Sequence, residues 1–193
     1  PNPGKPQNAH PIIVYGFGST TSNALYNITI DSCQVYNNVT GYSEAISLDG
    51  NVDGFTISNN SVHDNTNIGI DLIGNYKTSS NATLDQVRNG KVVKNICYNN
   101  ISNVATSAGI YVDGAKNIVI EKNITYTNGH GIEIGCEENG SASNITVREN
   151  IIYHNQVAGL AVGGYSSSTT GQVIGCNIFN NTFYANDYLN QGY

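Results

Sequence analysis

Of the fourteen carboxylates in this 193-residue chain, several fall at matching places in a repeated strand unit. The unit reads AISLDG from Ala45, GIDLIG from Gly69, GIYVDG from Gly109, GIEIGC from Gly131 and GLAVGG from Gly159. Two residues into it stand Ser47, Asp71, Tyr111, Glu133 and Ala161, and two further on stand Asp49, Ile73, Asp113, Gly135 and Gly163. Glu137 and Tyr165 lie one step beyond. Carboxyls gathered on one face suit acid–base chemistry, because like charges raise one partner's pKa and keep it protonated as an acid. If the units stack at the ~4.8 Å strand spacing, Asp113 and Glu133 come within ~5–8 Å and Asp71 lies ~9.6 Å from Glu133. The longer separation is near the range for inverting glycoside hydrolysis, in which a water fits between acid and base. The expectation is Glu133 as acid, Asp71 as base and Asp113 tuning the pair. Tyr111 and Tyr165 would stack on sugar faces, and Lys77, Arg88, Asp85 and Glu137 would bind substrate, Arg or Lys being able to hold a uronate carboxylate.

Those residues need a scaffold that repeats, and the sequence supplies one. Taking Asn60 as origin, the same pattern returns at Cys33, Asn95, Asn123, Asn150 and Asn181, in steps of 27, 35, 28, 27 and 31 residues. Three before the origin the column is Ile30, Ile57, Val92, Ile120, Val147 and Ile178; five after it every residue is Asn, from Asn38 to Asn186. Apolar residues alternate within each short strand, which sends one set to a core and the other outward. A period of about 27 residues with three such strands predicts a parallel β-helix. The fold class is all-β: about six coils, three parallel sheets, almost no helix, and both Asn columns facing inward at corners, where an amide side chain can satisfy the next coil's backbone. Residues 1–24 read as a lead-in plus PIIVYG, the last strand of an earlier coil. Residues 25–193 read as coils with insertions at Tyr76–Gly90 and Gly163–Gly171. Both insertions follow the third strand, so they are expected to wall a groove over its sheet. Neither end reads as a cap, which leads us to expect a further chain or subunit over at least one end. The chain begins at Pro1 and so reads as a mature form or an excerpt.

A net charge of −6 disfavours a nucleic-acid partner. No apolar run approaches the ~18 residues of a membrane span. Cys33, Cys97, Cys136 and Cys176 fall in different columns, so no disulfide is expected among them, and metal-ligand spacing is absent. The column Tyr36, His63, Tyr98, Tyr126, Tyr153 and Tyr184 reads as a structural stack. Several of the N-x-S/T sequons coincide with corner positions; Asn81 and Asn139, in loops, are the ones expected to be accessible.

The repeated I-x-I-x-x-N and G-I-x-[LIV] units resemble the right-handed parallel β-helix superfamily, the pectate-lyase-like fold, over nearly the whole chain. The resemblance implies a secreted protein acting on acidic or neutral polysaccharide as a lyase, hydrolase, epimerase or esterase, or a non-catalytic surface or fibre protein. Gly129–Gly135, GHGIEIG, resembles the G-H-G motif of polygalacturonases. Their Asn-Thr-Asp, Asp-Asp and Arg-Ile-Lys segments have no counterpart here, so His130 is read as a corner residue. By resemblance to calcium-dependent lyases, Asp71 and Asp113 would hold Ca²⁺ and Lys77 or Arg88 would serve as base. The expected function is a secreted glycoside hydrolase. The alternatives are a Ca²⁺-dependent uronate lyase and a non-catalytic, structural or glycan-binding solenoid.

Overall fold

The computed structural model describes residues 8–163 and 171–190. It is a right-handed parallel β-helix with nineteen strands among the described residues, where Thr21–Asn23 forms a 3₁₀ turn. Three parallel sheets run its length, one with seven strands and two with six. The first contains Leu25–Asp31, Val52–Ser58, Arg88–Val93, Lys116–Glu121 and Ser141–Arg148, ending in Gln172–Ile174 and Asn177–Phe179. The second is made of three-residue strands from Gln34–Tyr36 to Thr182–Tyr184. The third begins with Ile12–Gly16, in the segment read as the last strand of an earlier coil, and continues through Glu44–Gly50, Ile68–Ile73, Ala108–Asp113, His130–Gly135 and Ala158–Val162.

The alternating apolar residues build one core. Ile46, Leu48, Ile70, Leu72, Ile110, Ile132 and Ile134 of the third sheet meet Ile57, Ile118, Ile120 and Ile145 of the first, all fully buried or nearly so. Each such side chain contributes roughly 1.5–3 kcal/mol by leaving water. In the last coil the equivalent positions have a stacking neighbour on one side only, and Ile178 is 44% exposed where Val147, one coil earlier, is fully buried.

The Asn columns form two continuous ladders inside the corners. Asn60, Asn95 and Asn123 each donate through Nδ2 to the next Asn's Oδ1 at 2.9–3.0 Å, and to a backbone carbonyl of the preceding coil. Asn65, Asn100 and Asn128 repeat the arrangement at the second corner. The residue before each ladder Asn turns the chain with positive φ, whatever its type: Asn59, Lys94, Lys122 and Glu149 at one corner, and Asn99, Thr127 and His154 at the other. The glycines at the start of four third strands, Gly69, Gly109, Gly131 and Gly159, lie against this ladder: a Cβ on Gly131 would stand 2.7 Å from Asn155 Nδ2. Corner sequons at Asn100 and Asn123 therefore spend their amides inside the fold.

Outside the second sheet, Tyr36, His63, Tyr98, Tyr126 and Tyr153 stack face to face, with centroids 4.5–5.1 Å apart and planes within 10°. All four cysteines are free thiols.

Candidate active site

The third sheet brings the carboxylates together through its register. Ser47, Asp71, Tyr111, Glu133 and Ala161 pair in one outward column, and Asp49, Ile73, Asp113 and Gly135 in the next. Over them lies a cleft of about 1160 Å³. Asp49, Asp71, Tyr111, Asp113, Glu133 and Glu137 all line it.

This face is not the open sheet that the alternation predicts. Asp71 is only 2% exposed, Tyr111 and Asp113 3%, while Glu133 and Glu137 are half-buried. Of the two segments expected to wall the cleft, only Tyr76 and Gly163 line it among the described residues. Of the insertion Tyr76–Gly90, only Tyr76 reaches the cleft. Residues 77–85 fold along a neighbouring corner: Asp85 accepts from the Lys77 and Ser79 amides at 2.6 and 2.7 Å, and the Ser79 hydroxyl donates to Gly18 O at 2.7 Å. The opposite wall comes from segments that precede the third strand, including Tyr42–Glu44, Asn67 and residues 104–106. Gly163 also lines the cleft; Tyr165 and the rest of that loop up to 170 lie outside the described residues.

Three expected binding residues therefore stand elsewhere. Arg88 belongs to the first sheet, and its buried guanidinium reaches Asp53, Asn51 and the Leu84 and Gln86 carbonyls. Asp85 is spent on loop amides, and Lys77 is exposed and does not line the cleft. Tyr111 offers no open ring face: its hydroxyl points to Glu137 Oε1 at 3.5 Å. Gly135 makes room for it, since a Cβ there would lie 3.0 Å from that hydroxyl.

Glu137 is the hub of the cluster. The Tyr76 hydroxyl donates to its Oε2 at 3.1 Å, and its backbone amide donates to Asp113 Oδ1 at 2.8 Å. Burial is the main force on every titrating group here. It drives Asp71 well above the usual carboxylate range, with Glu44, Asp113 and Glu137 adding repulsion. It lifts Asp113 to about 7 against the Glu137 amide, which pulls the other way. Glu133 rises to about 7 through burial, then through Glu137 and Asp113. Glu137 is raised by burial too, with its two tyrosine donors opposing. The Tyr76 and Tyr111 hydroxyls are held far above their ordinary range, chiefly by burial, and stay protonated as donors.

Sequence reasoning missed Glu44 and set His130 aside, and both line the cleft. Each stands just before its strand's Gly-Ile or Ala-Ile pair. Ala45 and Ile46 both enter the core, so the two-residue alternation breaks there and turns the preceding side chain outward. Reading one position further back at each unit would have found both. His130 is 9% exposed, and burial lowers its pKa, so its imidazole is neutral.

A family model described as a right handed beta helix region matches residues 27–193. The chain is 41% identical over 155 residues to YwoF, an uncharacterized protein of Bacillus subtilis (strain 168), covering 76% of this chain and 32% of that protein. It thus spans about a third of that relative's length. Two crystal structures of the periplasmic alginate epimerase AlgG share the fold. A point mutant matches with a TM-score of 0.62 at 19% identity, over 90% of this chain and 44% of that one. The other matches with a TM-score of 0.57 at 18% identity, over 93% and 45%.

Proposed function

Because the chain belongs to the right handed beta helix family, we propose that its cleft works on a polysaccharide outside the cytoplasm and cleaves the glycosidic bond by hydrolysis. One observation carries the reading: Asp71 and Glu133 face one cleft from a single column, two strands apart, with Tyr111 between them. Two strand spacings amount to ~9.6 Å at the Cα atoms. That is close to the upper end of the ~6.5–9.5 Å between carboxyl groups that lets an inverting hydrolase place a water between acid and base.

We assign the roles in the opposite order to the sequence expectation. Asp71 is the more deeply buried, and burial with its acidic neighbours pushes its carboxyl well above the usual range, which suits it to the role of the acid that protonates the leaving oxygen. Glu133, nearer to solvent and titrating at about 7, is ionised above that pH and takes the proton of the attacking water. Asp113, also at about 7, adds negative charge beside Glu133 and raises its affinity for that proton.

A uronate lyase would need cations that this cleft does not offer. Among the described residues no Lys or Arg lines it, and no three His, Cys, Asp or Glu side chains converge to hold a metal. Asp71 and Asp113, the expected calcium ligands, both line the cleft, whereas the expected bases Lys77 and Arg88 do not. An acidic lining without Lys or Arg among the described residues supports a substrate with few carboxylates of its own.

The test is a polysaccharide panel assayed for new reducing ends and for the absorbance of unsaturated uronates, with and without calcium. Reducing ends alone, insensitive to a chelator, support hydrolysis. Unsaturated products would establish the lyase, and retention of a glycan with no products would make this a binding or structural solenoid.

A further inference from the structure

Two buried oxygens at neighbouring places of the outward column have no partner. Ser47 and Asp71 pair in register on adjacent strands, Glu44–Gly50 and Ile68–Ile73, and are 0% and 2% exposed. Neither Ser47 Oγ nor Asp71 Oδ1 makes a hydrogen bond. One strand spacing, ~4.8 Å, separates the two residues, which two short polar side chains can bridge with a single hydrogen bond. Leaving a buried hydroxyl unmet is unfavourable, and the column does not demand one, since Ala161 stands in it on the strand Ala158–Val162. Among the described residues, Ser47 Oγ is the one buried hydroxyl of the third sheet without a partner.

Resting on the reading of Asp71 as the acid of a hydrolase, we propose that Ser47 is a positioning residue whose hydroxyl turns to donate to Asp71 Oδ1 as that acid gives up its proton. With Oδ1 reserved for this donor, the proton stays on Oδ2 and passes from there to the leaving oxygen. The Ser47 O–H keeps its own hydrogen throughout. A hydrogen bond to a carboxylate is roughly twice as strong as one between neutral groups. The contact therefore favours the state after proton transfer over the resting one, which is what lowers a barrier.

Ser47 does not line the cleft, so it acts on substrate only through Asp71. The other titrating groups around Asp71 are Glu44 and Asp49 on the strand of Ser47, and Tyr111 and Asp113 on the opposite neighbour. Tyr76 and Glu137 approach from the segments that follow Ile68–Ile73 and His130–Gly135. The strand Ile68–Ile73 carries no titrating group besides Asp71. Replacing Ser47 leaves every one of these groups in place, so a change in the behaviour of Asp71 reports the hydroxyl itself.

The experiment compares the full chain with Ser47→Ala and with Ser47→Cys, which keeps the side-chain size but donates weakly. On a glycan that the wild type cleaves, both should lower kcat roughly 10–100-fold and leave KM little changed. The alkaline limb of the pH–rate profile should move upward, because the ionised Asp71 has lost its donor. Ser47→Ala should melt no lower than the wild type, since a buried unmet hydroxyl has gone; if it fails to fold, Ser47→Cys decides. A full rate, or a lower one with the limb unmoved, makes Ser47 a packing residue and overturns the proposal while leaving the hydrolase. Infrared titration of the protonated carboxyl band, assigned to Asp71 by its loss in Asp71→Asn, reads the same contact without substrate. If the wild type cleaves no glycan, a band that titrates at higher pH in the Ser47 variants keeps the hydrogen bond and removes the hydrolase reading. A band that titrates at the same pH in all of them removes this inference.

Discussion

Asp71 and Glu133 lie in one outward column of the third sheet, on opposite sides of Tyr111, and share a single cleft. Parallel stacking fixes the column, because each residue hydrogen-bonds in register with its equivalent one coil away. Their environments are nonetheless unequal, Asp71 being nearly sealed and Glu133 half-buried. That inequality is what separates an acid from a base.

Replacing either carboxyl should abolish most activity without unfolding the chain. Asp71→Asn and Glu133→Gln are each expected to lower the rate ~10²–10⁴-fold on a glycan that the wild type cleaves. The comparison is of initial rates, with circular dichroism showing the β-helix intact. Two folded variants with full activity would move the site elsewhere.

The pH–rate profile should have its acidic limb near 7. Glu133 titrates at about 7, and the mechanism needs it ionised, so activity falls as pH drops through that value. Asp71 must stay protonated, which burial favours by raising its pKa, and its ionisation sets the alkaline limb. Tyr111→Phe removes a donor from Glu137, leaving that carboxyl with a higher proton affinity. A wild-type limb near 4, where ordinary carboxylates titrate, would contradict the burial argument.

Stability should follow the same groups with a definite sign. Asp113 and Glu133 rise from 3.8 and 4.5 to about 7 on folding, so between those values the native state binds more protons than the unfolded chain. Stability from these groups is then fully present below pH ~4 and declines as pH rises through ~7. Each 1 kcal/mol lost corresponds to ~2–4 °C in Tm for a chain of this size. Thermal melts across that window should show the decline, and Asp113→Asn should flatten it.

Breaking a ladder should cost far more than one ordinary hydrogen bond. Asn123 donates to Val92 O and Asn150 Oδ1 and accepts from both the amide and the side chain of Asn95. Asn123→Ala strands these buried partners, with an expected loss of about 3 kcal/mol or more, read from denaturant unfolding.

One corner can be improved. Thr127 holds φ at 51°, a left-handed conformation that a β-branched residue adopts at a cost. Thr127→Asn should raise stability by up to about 1 kcal/mol, because Asn tolerates that region better. A lowered melting temperature would mean that the Thr side chain contributes more than its strain.

The sequence by itself determined the coil, its handed family resemblance and the shared column of Asp71, Tyr111 and Glu133. Its period-2 alternation and its Asn columns leave a parallel stack only one register, as the ladder from Asn60 to Asn181 shows. Tertiary structure decided how that column is covered. Strand spacing carries no record of where a loop folds, so Lys77, Asp85 and Arg88 looked like cleft residues while their partners drew them to a corner and to the first sheet. Glu44 and His130 escaped because Ala45 and Ile46 enter the core in succession, a local break in the pleat that alternation cannot express. Burial of the carboxyls was equally invisible, because it depends on Tyr42, Tyr76 and residues 104–106 arriving over the sheet from three different coils. That burial raises Asp71, Asp113 and Glu133 and turns a column of acidic residues into groups able to trade protons near neutral pH.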